Sequence, residues 1–401
     1  MKKVVIRRAA PLFTREIDVR QIAPGREEYL SRIAMLRLRM REAGIDMLLV
    51  FGDREHFANL EYLSGYDCRF EEGLLALPAE GRPTLLCGNE GMAYSYAIPY
   101  EIDRVYYRNF SLQGQPRRAE ERLDAIFRAL GIGRETRVGV AGFKYFYEAY
   151  CATDPLRTFD LPHYVVEALF RAADPANVVN FTYALTGLEG GIRLRVYTAR
   201  EIAAAEAAAA RSTNGLIRMM RNLRPGVTEY EVGENARLGV APVTMHPLTN
   251  VGAAHLSIGL RSPSDETRLN LGEVCGLCYG VRGSLSSRVG VAATGESDIE
   301  ADLKPTLYPF FGKFFEAMAA WYGALKVGVT GDELHRAVHD LIGGPEYGLA
   351  LNCGHYTGMD EWVNSPVSAG SKHALPDGAY LQVDIIASNP AARLIFTKTG
   401  K

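Results

Sequence analysis

The sequence predicts two domains, an α/β domain followed by an α+β domain. Three observations lead there. The chain has 401 residues, more than one hydrophobic core ordinarily organises. Its first half alternates short apolar runs with helical patterns, which is the mark of a sheet flanked by helices. Its second half carries an internal echo: Arg224-Pro225-Gly226-Val227-Thr228-Glu229 and Lys326-Val327-Gly328-Val329-Thr330-Gly331 each follow one helical pattern and open another. Such an echo implies a duplicated half-domain with pseudo-twofold symmetry.

Each element has its own signal. Residues 1–24 read as an arm, 25–190 as the α/β domain and 195–401 as the α+β domain. Helix 26–43 shows Tyr29, Ile33, Leu36 and Met40 on one stripe, and Gly44 ends it. Asp46-Met47-Leu48-Leu49-Val50-Phe51 reads as a buried strand. Further short apolar runs lie at 73–77, 84–87, 104–107 and 137–141, with a helix over 118–130. An alanine-rich helix spans 199–222, and its counterpart spans 306–325. In each echo the threonine caps the following helix, with acidic residues in the first turn. The sequence after each echo is β-rich: 250–255, 271–278 and 283–289 in the first half, the Asn352–Gly358 region and 377–386 in the second.

Composition excludes several function classes. A hydrophobic share of 47% with 23% charged residues is that of a globular chain. A formal net charge of -2 leaves no electrostatic footprint for nucleic acid or an anionic membrane. No apolar run is long enough to span a bilayer, and the basic N-terminus lacks the apolar core of a signal peptide. The scattered cysteines read as reduced thiols of a cytoplasmic protein rather than a disulfide framework. Cys275 and Cys278 form a C-x-x-C without a second pair, which is too little for a zinc site. His335 and His339 lie one helical turn apart but lack the glutamate of a zinc-peptidase motif, and read as solvated.

Two histidines stand out, one in each β-rich half and each among small residues: Gly252-Ala253-Ala254-His255 and Gly354-His355-Tyr356-Thr357-Gly358. Imidazole is readily tuned to move a proton or bind a metal near neutral pH. If the two halves face each other, both rings converge on one cleft. Asp360 and Glu361 follow His355 closely and supply carboxylates. Cys353 lies two residues before His355, the spacing that shares a strand face.

These motifs, with Tyr62-Leu63-Ser64-Gly65-Tyr66 in the first domain and Gly378-Ala379-Tyr380-Leu381-Gln382-Val383-Asp384 in the second, resemble the creatinase/aminopeptidase P/prolidase family. The resemblance implies a creatinase-like α/β N-terminal domain and a C-terminal pita-bread domain, here without its last strand. The metallopeptidases of that family hold two divalent ions with two aspartates, one histidine and two glutamates. Carried over by position, these sites are Cys278, Leu285, His355 and Asp384, with the last glutamate absent. Leucine donates nothing and cysteine selects softer ions, so the expectation is no metal and no cofactor. A mononuclear manganese, cobalt or zinc on His355 and Asp384 is the fallback.

Creatinase works without metal on this scaffold. The resemblance therefore implies His255 as acid/base in cutting a C–N bond of an amide- or amidine-like substrate. His355, Asp360, Glu361, Asp384 and Arg69 become substrate-binding candidates. It also implies a homodimer acting on a small molecule or short peptide, and the charge balance adds the expectation of no nucleic-acid or membrane partner. The alternatives are a non-catalytic binding or structural relative, and a residual Xaa-Pro metallo-aminopeptidase or prolidase.

Overall fold

The computed structural model describes residues 16, 20–117, 121–237, 239–349 and 351–394. The chain divides into two units, one of Pro24–Leu194 and one built from Arg195 onward together with residues before Pro24. Of the expected arm, residues 1–15 and 17–19 lie outside the described residues; Glu16 belongs to the second unit, where its carboxylate pairs with Arg218 at 2.6 Å.

The first unit opens with α1 (Arg26–Ala43), which buries Tyr29, Ile33, Leu36 and Met40 as the stripe requires and stops at Gly44, φ 64°. Strand β1 (Met47–Gly52) is buried throughout. After α2 (Ala58–Ser64) come β2 (Gly73–Pro78), β3 (Thr84–Cys87), α3 (Asn89–Tyr94) and β4 (Asp103–Tyr106). The unit continues with α4 (Leu123–Ala129), β5 (Val138–Ala141), α5 (His163–Ala172), β6 (Val178–Asn180) and α6 (Tyr183–Thr186). Among the described residues the six strands form one mixed sheet in the order β4-β3-β2-β1-β5-β6. Strand β1 runs antiparallel to β2 and parallel to β5. The core sets Leu49, Phe51 and Val140 of the sheet against Phe127 and Leu169 of the helices. Of the helix expected over 118–130, residues 118–120 lie outside the described residues, and α4 begins at Leu123 because Arg122 is extended at φ -91°, ψ 126° and serves as its N-cap.

The second unit starts with α7 (Ala199–Arg221), capped by Thr198 with Glu201. Its alanines and Gly215 let the helix lie close on a sheet: a Cβ on Gly215 would stand 2.3 Å from the Tyr279 ring. That sheet is an antiparallel meander of β7 (Val243–Val251), β8 (Val274–Val281) and β9 (Ser284–Val291). Between them fall α8 (Glu229–Glu234) and α9 (Gly252–Leu256). The second half holds α10 (Lys304–Ala324), α11 (Gly331–Ile342), β10 (His355–Tyr356) and β11 (Leu381–Gln382).

The internal echo is a structural duplication. In the first copy Gly226 N–H donates to Leu269 O at 2.8 Å and Leu269 N–H to Val227 O at 2.9 Å. In the second, Gly328 donates to Leu375 at 2.8 Å and Leu375 to Val329 at 2.9 Å. Thr228 and Thr330 each cap their helix in a box closed by Glu231 and Glu333.

Two expectations need correction. The β-rich reading of 250–255 ends early, because Gly252 at φ 77° turns the chain out of β7 into α9 and puts His255 on a helical turn. The strand expected over 377–386 forms only at Leu381–Gln382, with an isolated antiparallel bridge between Ala379 and Arg195. Thr357 N–H still donates to the Tyr380 carbonyl at 3.0 Å, while Tyr356, in the pair whose N–H points away from β11, donates to Asn364 O at 2.7 Å on the other side.

Candidate active site

His355 is fully buried. Gly354 carries the chain into it at φ 133°, where a Cβ would stand 3.1 Å from Trp321 Cζ2. The ring's Nδ1 lies 3.0 Å from the Tyr356 carbonyl, which can only accept, so Nδ1 bears a proton. Nε2 faces two carboxylates, Glu361 Oε1 at 3.2 Å and Asp384 Oδ2 at 3.8 Å. The first contact is close enough for an ion pair, but its angle is not that of a hydrogen bond. Trp362 stacks on the ring, with centroids 4.0 Å apart and planes 20° apart.

The electrostatics follow from this packing. Burial disfavours the charged imidazole, yet Glu361, the Tyr356 carbonyl and Asp384 outweigh it and hold the His355 pKa above its ordinary value. Asp384 is raised by burial and by Glu361, against the opposing pull of His355. Cys278, on β8, feels the same pair: burial first, then Glu361 and Asp384, push its thiol up to about 12. Cys353 is pushed up to about 11 by burial and by Asp384, so it is a packed thiol rather than an activated nucleophile.

His255 sits in a second cluster. Its Nδ1 lies 2.7 Å from Glu229 Oε1 and 2.5 Å from Arg261 Nη1. Glu229 is unexposed, whereas a quarter of the His255 side chain (25%) reaches solvent. The same carboxylate accepts the Val251 N–H at 2.7 Å and the Ser264 N–H at 2.9 Å. Among the described residues no hydrogen bond or ion pair joins this cluster to that of His355.

The other expected residues lie as follows. Asp360 is half-buried in the turn before Glu361, its carbonyl accepting the Gly358 N–H at 3.1 Å. Arg69 belongs to the first unit and pairs with buried Asp67 at 3.0 Å. Sequence reasoning missed Glu229 and Arg261 as partners of His255. Glu229 stood in a quoted motif and was read only as an acidic residue in a helix's first turn; Arg261 carried no signal. A cavity of about 490 Å³ opens in the first unit beside Glu72, Tyr107, Arg117 and Tyr164, and none of the residues named above as candidates lines it. Among the described residues no group of three or more His, Cys, Asp or Glu is arranged to hold a metal ion, and no helix is long and apolar enough to cross a membrane.

Comparison with known proteins adds the following. Residues 32–153 match the model of the Creatinase/Prolidase N-terminal domain. No curated protein sequence matches the chain. Among solved structures, an Xaa-Pro dipeptidase from Bacillus anthracis is similar at 20% identity, with 89% of this chain and 90% of that one covered and a TM-score of 0.65. A prolidase from Pyrococcus horikoshii OT3 gives 16% identity, 88% and 90% coverage and a TM-score of 0.66. An aminopeptidase of Pseudomonas aeruginosa gives 17%, 94% and 91%, and 0.62. At these identities the likeness is one of fold.

Proposed function

We propose, for a chain that has the fold of the creatinase/aminopeptidase P/prolidase family and carries its N-terminal domain at residues 32–153, hydrolysis of a C–N bond in a small amide- or amidine-like substrate with His255 as acid/base. The supporting observation is the His255–Glu229 pair, a partly open imidazole held from behind by a buried carboxylate at 2.7 Å. This is the arrangement of a base whose far nitrogen is left for chemistry.

The ions of the family's peptidases do not match the donors at these positions. Leu285 offers no lone pair, and Cys278 is a thiol pushed up to about 12 by burial and two neighbouring carboxylates. A centre for two hard cations needs oxygen donors there. No step is therefore routed through metal. His255 takes a proton from water as the oxygen attacks the substrate carbon. The resulting imidazolium then protonates the leaving nitrogen as the C–N bond breaks, which returns His255 to its starting state. Glu361 and Asp384, beside His355, give a cationic substrate group two carboxylates to meet, and Asp360 is a further candidate for holding the substrate.

The test is a panel of small amides, amidines and Xaa-Pro dipeptides offered to chelator-treated protein. Turnover is expected to survive chelation and to fall by about 100-fold or more in His255→Ala, the usual scale of a lost acid/base. Wild-type rates in that variant would overturn the reading. His355→Ala is expected to raise KM more than it lowers kcat. A second reading, an Xaa-Pro peptidase with one ion on His355 and Asp384, draws on the named activities of the structural relatives. Stoichiometric manganese, cobalt or zinc in the purified protein, with Xaa-Pro cleavage lost on chelation, would establish it instead.

A further inference from the structure

We infer that Glu229 is a positioning residue for His255: it holds the imidazole proton on Nδ1 and leaves Nε2 as the nitrogen that meets a substrate. The catalytic use of this arrangement rests on the function proposed above; the arrangement itself does not.

The contacts around Nδ1 pose a conflict that only one tautomer resolves well. A ring nitrogen either donates or accepts, and cannot do both. Glu229 Oε1, an acceptor, stands 2.7 Å away, and Arg261 Nη1, a donor, stands 2.5 Å away. With the proton on Nδ1, the ring opposes the arginine. With the proton on Nε2, a bare lone pair opposes a carboxylate oxygen. The two partners differ in their freedom to move aside. Glu229 is unexposed and pinned through both oxygens, by the Val251 N–H on Oε1 and the Ser264 N–H on Oε2. Arg261 is partly exposed (27%), has five N–H donors, and already lies 3.3 Å from Glu229 Oε2, where it has an alternative acceptor. The arginine can shift onto the carboxylate; the carboxylate cannot leave the ring.

The duplication shows that Glu229 is not there for the turn. Thr228 and Thr330 cap their helices alike, with Glu231 and Glu333 closing each box. The residue after the threonine is Glu229 in one copy and Gly331 in the other, where a Cβ would meet the Pro366 carbonyl oxygen at 1.8 Å. The turn forms without a carboxylate in the second copy. In the first copy the carboxylate meets the His255 ring together with the Val251 and Ser264 N–H groups.

The experiment is ring-nitrogen NMR on the full-length protein labelled with 15N-histidine, with His255 assigned by its loss in His255→Asn. At a pH where the ring is neutral, the wild type is expected to be predominantly the Nδ1–H tautomer. Arg261→Ala is expected to keep that tautomer. Glu229→Gln removes the charge that assists the bond and the arginine's counter-charge, so the ratio of Nδ1–H to Nε2–H is expected to fall by about tenfold. A wild-type Nε2–H tautomer, or an unchanged ratio in Glu229→Gln, would overturn the inference. Should Glu229→Gln not fold, the wild type and Arg261→Ala decide it. The readout needs no turnover: the wrong tautomer defeats this inference alone, and the right tautomer in a protein without activity defeats only the proposed function.

Discussion

Gly354 is the residue that His355 depends on most directly. Its φ of 133° lies where a side chain is strained, and a Cβ would press on Trp321 at 3.1 Å. Gly354→Ala is expected to destabilise the protein by about 1–3 kcal/mol. Urea unfolding followed by tryptophan fluorescence measures this, and a change within ~0.5 kcal/mol would mean the turn relaxes freely. The glycine, His355 and the carboxylates behind it were legible because they are close in sequence or lie in a recognisable motif. Glu229 and Arg261 were not. They lie 26 residues before and 6 residues after His255, and only the folding of α8 against the end of β7 brings Glu229 to that ring. Cys353 was read as sharing a face with His355; its raised pKa removes any advantage as a nucleophile.

The Gly-Val-Thr turn was legible as a pair because both copies use the same local chemistry, a threonine cap and a glutamate three residues on. Thr228→Ala and Thr330→Ala are each expected to lose about 1 kcal/mol. The caps share no hydrogen-bond partner, so the double variant is expected to lose the sum within about 0.5 kcal/mol. Thermal or urea unfolding of the four proteins checks this, and a cap that costs nothing in one copy would show that the duplication is geometric but not energetic. The elements read best from sequence are those with local punctuation. Helix α1 has its stripe and its terminal glycine, and both did what the pattern requires. The elements read worst are β10 and β11, which pair over two residues each although the sequence around them is β-rich. The turn at Gly252 belongs here too: a glycine before two alanines was a sign that the strand stops before His255.

At the scale of the whole molecule, the first unit has its own sheet and its own core, with Leu49, Phe51 and Val140 packed against Phe127 and Leu169. A fragment of residues 24–194 is therefore expected to fold alone with one cooperative transition. Its stability is also expected to depend on acid in a defined window, through Asp124 of α4. This carboxylate is buried (2% exposed) between Arg122, at 3.0 and 3.1 Å, and Arg128, at 2.9 Å. The hydrogen bond from Arg122 leads in lowering its pKa to about 2. A carboxylate depressed on folding stabilises the fold above its unfolded pKa and loses that contribution as pH falls through the folded value. The loss therefore falls between about pH 4 and pH 2. The full shift would correspond to about 2 kcal/mol, reduced to roughly 1–2 kcal/mol because both arginines are half exposed and screened. Asp124→Asn is expected to lower the fragment's stability by that amount at pH 7 and to differ little from the parent near pH 2. Urea titrations of both fragments at several pH values measure the difference. A gap that persists undiminished at pH 2 would mean that Asp124 acts through packing rather than charge, and a parent fragment without a cooperative transition would show that this core does not suffice by itself.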